Sequence, residues 1–66
     1  MTEGAMTAEL SAAAEAVGDY RRRVGALAGN VGADDDDLLT AIYEAERSIG
    51  VAERAIRRAM KVVAQR

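Results

Sequence analysis

The chain contains no cysteine and no histidine. Disulfide staples, thiol nucleophiles and the usual zinc ligand sets are therefore excluded. Ser11 and Ser48 have no imidazole to activate them, so triad-type nucleophilic catalysis is excluded as well. Proline, tryptophan and phenylalanine are also absent. The aromatic residues are Tyr20 and Tyr43 alone, too few for the clusters that stack RNA bases. No apolar run approaches the roughly 18 residues of a membrane span. Met1 to Met6 carry neither the basic nor the apolar region of a secretory signal. The expectation is a cytoplasmic protein with no cofactor, no metal and no membrane contact.

Sixty-six residues allow one small domain. Half of them are apolar, but 15 of those 33 are alanine, and only 13 residues are Leu, Ile or Val. Nine basic residues against eleven acidic ones leave a net charge of −2, which argues against a general polyanion binder. The charges are blocked: Arg21–Arg23 is basic, Asp34–Asp37 is acidic, and Arg54–Arg66 holds five cations and no acid.

One break is clear. Gly29-Asn30-Val31-Gly32 ends a helix if Gly or Asn turns left-handed. Asp34 then suits the N-cap of another, with Asp37 completing a carboxylate capping box. The spacing predicts a helix over about 6–28, a loop over about 29–34 and a second helix over about 35–64. Met6, Leu10, Ala13, Val17, Tyr20, Val24 and Leu27 recur at alternating intervals of four and three. So do Leu38, Ile42, Ala45, Ile49, Ala52, Ile56, Ala59 and Val63. Chance would give such a pattern about once in 700 chains of this composition, so it is read as a heptad seam.

With Ile42 at position a, the a column is Ile42, Ile49, Ile56 and Val63, and the d column is Leu38, Ala45, Ala52 and Ala59. The g column (Ala41, Ser48, Ala55, Val62) is small or apolar, which makes the stripe wider than a two-stranded seam requires. Folding back antiparallel, the helices have two sensible registers. One sets Val17 against Ala45, and the other sets it against Ala52. In either, Arg21–Arg23 come near Glu44 and Glu46, and Glu3 and Glu9 come near the basic C-terminal turn. A lone hairpin is marginal. Ordering about 55 residues costs about 80 kcal/mol. Full burial of about 18 larger apolar side chains returns about 36 kcal/mol, and about 45 helical hydrogen bonds at ~1 kcal/mol each leave the balance near zero. Self-association is the expected remedy.

The acidic block does not fit a calcium loop, because its sixth position is Leu39 and its twelfth is Ala45. Glu44, Glu46 and Glu53 lack the histidines of a di-iron bundle and read as charged flank residues. Arg54, Arg57, Arg58 and Lys61 fall at f, b, c and f of the second helix, where they can contact phosphates or complement the helix C-terminus. Tyr43 and Val51 lie outside the seam and Met60 beside it, a possible contact for a second protein. In length, two-helix layout and short acidic loop the chain resembles the plasmid-encoded, RNA-binding repressor-of-primer family. The likeness is architectural and matches no functional motif residue by residue.

The sequence therefore predicts an all-α, antiparallel two-helix hairpin that dimerises into a four-helix bundle. Its expected function is a non-catalytic, self-associating scaffold or adaptor. The oligomer seam would run through Leu10, Ala13, Val17, Tyr20 and Val24 and the a and d columns of the second helix. The partners expected are a second copy and another protein. The rival reading is a nucleic-acid-binding bundle using the basic face of the second helix.

Overall fold

A computed structural model describes all 66 residues. Helix α1 spans Glu3–Ala26, and a 3-10 turn, Leu27–Asn30, tightens its end. Helix α2 spans Asp36–Ala64 and folds back antiparallel on α1. There are no strands, and the molecule measures 51 × 14 × 13 Å. No helix is long and apolar enough to cross a membrane.

The ends of the helices follow local chemistry. Helix α1 starts earlier than the apolar spacing suggests because Thr2 caps it: Thr2 Oγ1 accepts from the Ala5 N–H at 3.0 Å. The expected left-handed Gly or Asn at its other end is absent, since no residue has positive φ. The chain instead winds into the 3-10 turn and leaves through extended Val31. At the start of α2 the capping residue is Asp35, not Asp34. Its Oδ1 accepts from the Leu38 N–H at 3.2 Å, and Asp36 and Asp37 follow in the first turn, where the helix dipole favours acids.

The line along which the helices touch differs from the simple apolar seam. On α1 and the 3-10 turn after it, the line is Thr7, Ser11, Ala14, Gly18, Arg21, Gly25 and Ala28, each buried or half-buried. On α2 it is Leu39, Ile42, Glu46, Ile49, Glu53, Ile56, Met60 and Val63, equally withdrawn from solvent. Helix α2 thus turns mainly its a and e columns to α1, with Gly50 beside Arg21, rather than a and d. Helix α1 meets it with mostly small residues one position beyond the predicted stripe, whose Leu10, Ala13, Val17 and Val24 are half-buried beside them. The register is fixed by close approaches: Gly18 faces Glu53, Gly25 faces Glu46, and Arg21 crosses Gly50. That slide lies close to the register that places Val17 beside Ala52.

This packing buries little. Ala14 and Val63 are the only apolar residues buried, and no large side chain is fully enclosed. The chain exposes 4829 Å². That is roughly a fifth above the ~4000 Å² expected of a compact monomer of this mass.

Candidate functional site

The hairpin has two unlike faces. Between them lies a charged cluster on the contact line. Arg21 donates from Nε to Glu53 Oε1 at 2.8 Å, and Arg57 donates from Nη2 to Glu53 Oε2 at 3.2 Å. The Glu53 side chain is only 14% exposed. The hydrogen bond from Arg21 holds its carboxyl below the ordinary value of 4.5, burial opposes that shift, and Arg57 adds to it. The cluster fits because Gly18 carries no side chain there: a Cβ on Gly18 would stand 2.8 Å from Glu53 Oε2. Gly25 makes the same allowance for Glu46. Two glycines seven apart therefore receive two glutamates seven apart. Sequence patterning that counts apolar residues misses both pairs, although the matched spacing was there to be read.

The first face is apolar. Val17, Tyr20, Ser48, Ile49 and Ala52 line an open groove of about 440 Å³ whose exposed lining is apolar throughout. On α2 this face carries the d and g columns with the edge of a. No charged residue occupies an a, d or g position between Leu38 and Val63. Of the predicted seam residues, Leu38, Ala45 and Ala52 are exposed, and Ala59 is half-buried. Ile42, Ile49 and Ile56 are half-buried and Val63 is buried, and of these Ile49 also lines the open groove. On α1, Leu10, Ala13, Val17 and Val24 are half-buried and Tyr20 is 56% exposed. Arg23 lies over the Tyr20 ring, 5.1 Å from its centre.

The second face is polar. Arg21, Tyr43, Glu46, Arg47, Gly50 and Arg54 surround a shallow hollow of about 350 Å³. The four cations suggested as phosphate contacts have different neighbours. Arg54 joins Arg21 and Arg47 around Gly50. Arg57 is committed to Glu53, and with Lys61 it lines a separate hollow beside Thr7 and Met60. Arg58 stands exposed on the outer edge. The first basic block also divides: Arg21 reaches Glu53 rather than Glu44 or Glu46, while Arg22 and Arg23 turn to Asp19 on their own helix. Glu3 and Glu9 make no ion pair with the C-terminal cations, which lie beyond ion-pair distance. No group of three carboxylates comes together in an arrangement that could hold a metal ion.

No protein-family model, curated protein or solved structure matches this chain significantly.

Proposed function

We propose that the protein is a small non-catalytic scaffold that associates with itself through its apolar face and so mediates protein–protein contact. The observation that carries this is the charge-free d and g surface of α2, left mostly exposed by a hairpin that uses a and e for its own contact. Singly exposed apolar residues are ordinary on any monomer, but a continuous apolar stripe along one helix is not. The energetics support the same reading. The near-zero balance of a lone hairpin assumed full burial of its larger apolar residues, and the hairpin buries only Val63 among them. Two hairpins joined by this face make a four-helix bundle. A cytoplasmic location belongs to this reading.

Nucleic-acid binding has less support. One of its four cations is engaged by a carboxylate, and the chain carries a net charge of −2. Sedimentation equilibrium between about 1 and about 100 µM tests the proposal. The expected result is a helical species heavier than the 7.0 kDa chain. A folded monomer at the highest concentration overturns it.

A further inference from the structure

We propose that the open face takes a second copy of this chain, laid antiparallel so that α2 crosses its counterpart about a twofold axis between Gly50 and Val51. This rests on the self-association argued above and adds its geometry.

Side-chain size selects the register. In an antiparallel pair, an a residue of one helix meets a d residue of the other. With the axis between Gly50 and Val51, Ile49 meets Ala52 of the second copy, Ile42 meets Ala59, and Ile56 meets Ala45. Val63 and Leu38 close the ends. Every isoleucine is set against an alanine, and every layer of α2 is used. A slide of one heptad keeps the matching but strands the layers at the ends. A parallel pair would stack Ile on Ile and Ala on Ala, alternately overfilling and underfilling the core. The small g column beside the seam lets the two backbones approach closely.

Charge agrees with size. The c column on the outer edge reads Asp37, Glu44, Val51, Arg58, Gln65. The twofold axis inverts that order, so Glu44 comes beside Arg58 of the second copy and Val51 meets its own counterpart. Neither Glu44 nor Arg58 has an ion-pair partner in its own chain, and Val51 is 54% exposed. The axis also carries each Asp34–Asp37 block toward the basic end of the other α2. Turning the second copy so that both loops share one end would lay α1 over the other copy's α2. It would set Tyr20 on Ile49 and Leu27 on Ile42, large on large, and bring the two acidic blocks together. In the resulting bundle the hollow of Arg21, Arg47 and Arg54 faces outward on both sides.

A chain without cysteine allows the register to be read by pairing single-cysteine variants. Ala45→Cys is mixed in a thiol–disulfide buffer with Ile49→Cys, Ile56→Cys, Val63→Cys or Val24→Cys. The expected result is a heterodisulfide with Ile56→Cys that exceeds every other product at least tenfold. Dominant self-pairing of Ala45→Cys indicates a parallel dimer and overturns the proposal. Dominant pairing with Ile49→Cys or Val63→Cys shows a slipped register, and pairing with Val24→Cys shows loops at one end; either overturns it. Spin labels on Thr40→Cys and Arg47→Cys lie outside the face and leave it intact. At 1.5 Å per residue their axial separations across the axis are about 32 Å and about 11 Å. The Thr40 label must give the clearly longer distance, and equal distances overturn the antiparallel arrangement. A monomer in sedimentation overturns the proposed function as well, whereas a dimer with the wrong pairing overturns only the geometry.

Discussion

Replacing Gly18 by alanine should destabilise this protein, although general helix chemistry says the opposite. Gly18 lies inside α1, where a glycine costs about 1 kcal/mol relative to alanine. The new Cβ would stand 2.8 Å from Glu53 Oε2 and 3.1 Å from its carboxyl carbon. A carboxylate at the end of a flexible side chain ordinarily swings aside at little cost. Here swinging aside means leaving Arg21 at 2.8 Å and Arg57 at 3.2 Å. Overpacking of a fitted site costs about 1–3 kcal/mol. Set against the gain in helix propensity, the net loss is about 1 kcal/mol, or roughly 4–8 °C in Tm for a chain of this size.

The same substitution made in a Glu53→Ala background meets no carboxylate, so the propensity gain should emerge alone and raise Tm. Thermal melts of the four chains, at one protein concentration, give the coupling directly. Gly4→Ala is the control, because a Cβ there meets nothing within 4 Å. It should leave stability equal or slightly improved. If Gly18→Ala stabilises the parent chain, or shifts both backgrounds equally, then Gly18 is not the socket for Glu53 and the register derived from it is wrong.

Ala52→Leu should destabilise the protein about 1–3 kcal/mol more than Ala64→Leu, read as a lower Tm, because Ala52 lines the groove where a second chain would pack and Ala64 lies at a helix end. Oligomer size must be measured beside the melt, since leucine can drive a different assembly. Asp35→Ala should cost about 1 kcal/mol and Asp34→Ala much less, because Asp35 makes the capping hydrogen bond; equal losses in urea titrations would contradict that assignment. The depressed folded-state pKa of Glu53 makes its contribution complete above the ordinary value of 4.5 and lost as pH falls below that through the depressed value. Glu53→Gln should therefore flatten the acid limb of a Tm-versus-pH curve below about pH 4.5, and an unchanged limb would refute it. Duplex DNA or structured RNA should bind weakly at ~150 mM salt, since four phosphate contacts give a log–log salt slope of only about −3.6. Submicromolar binding that collapses when Arg54, Arg57, Arg58 and Lys61 become alanine would favour the nucleic-acid reading.

The helices and the break between them were legible because they rest on local signals. A three–four apolar rhythm marks each helix, and a Gly- and Asp-rich interval separates them. The capping residue was misplaced by one position because four consecutive aspartates offer the same chemistry, and only the backbone geometry chooses among them. The left-handed turn was expected from composition, yet a glycine permits that conformation without imposing it, and here a 3-10 turn satisfies the end of α1.

The seam was legible as a stripe but not as a division of labour. The isoleucine column at a is common to two contacts, so periodicity alone cannot say which flank serves the hairpin and which stays open. The choice is made by pairs that an apolar count discards. Glu46 and Glu53 interrupt the e column, and a carboxylate on a contact line is costly unless it has room and a partner. Gly25 and Gly18 supply the room, and Arg21 supplies the partner for Glu53. Once e is committed to α1, most of the d column is left without an intramolecular contact. Ala45 and Ala52 then stand exposed beside half-buried isoleucines, a surface whose bumps and hollows repeat at the same interval, which is what the proposed pairing with a reversed copy uses.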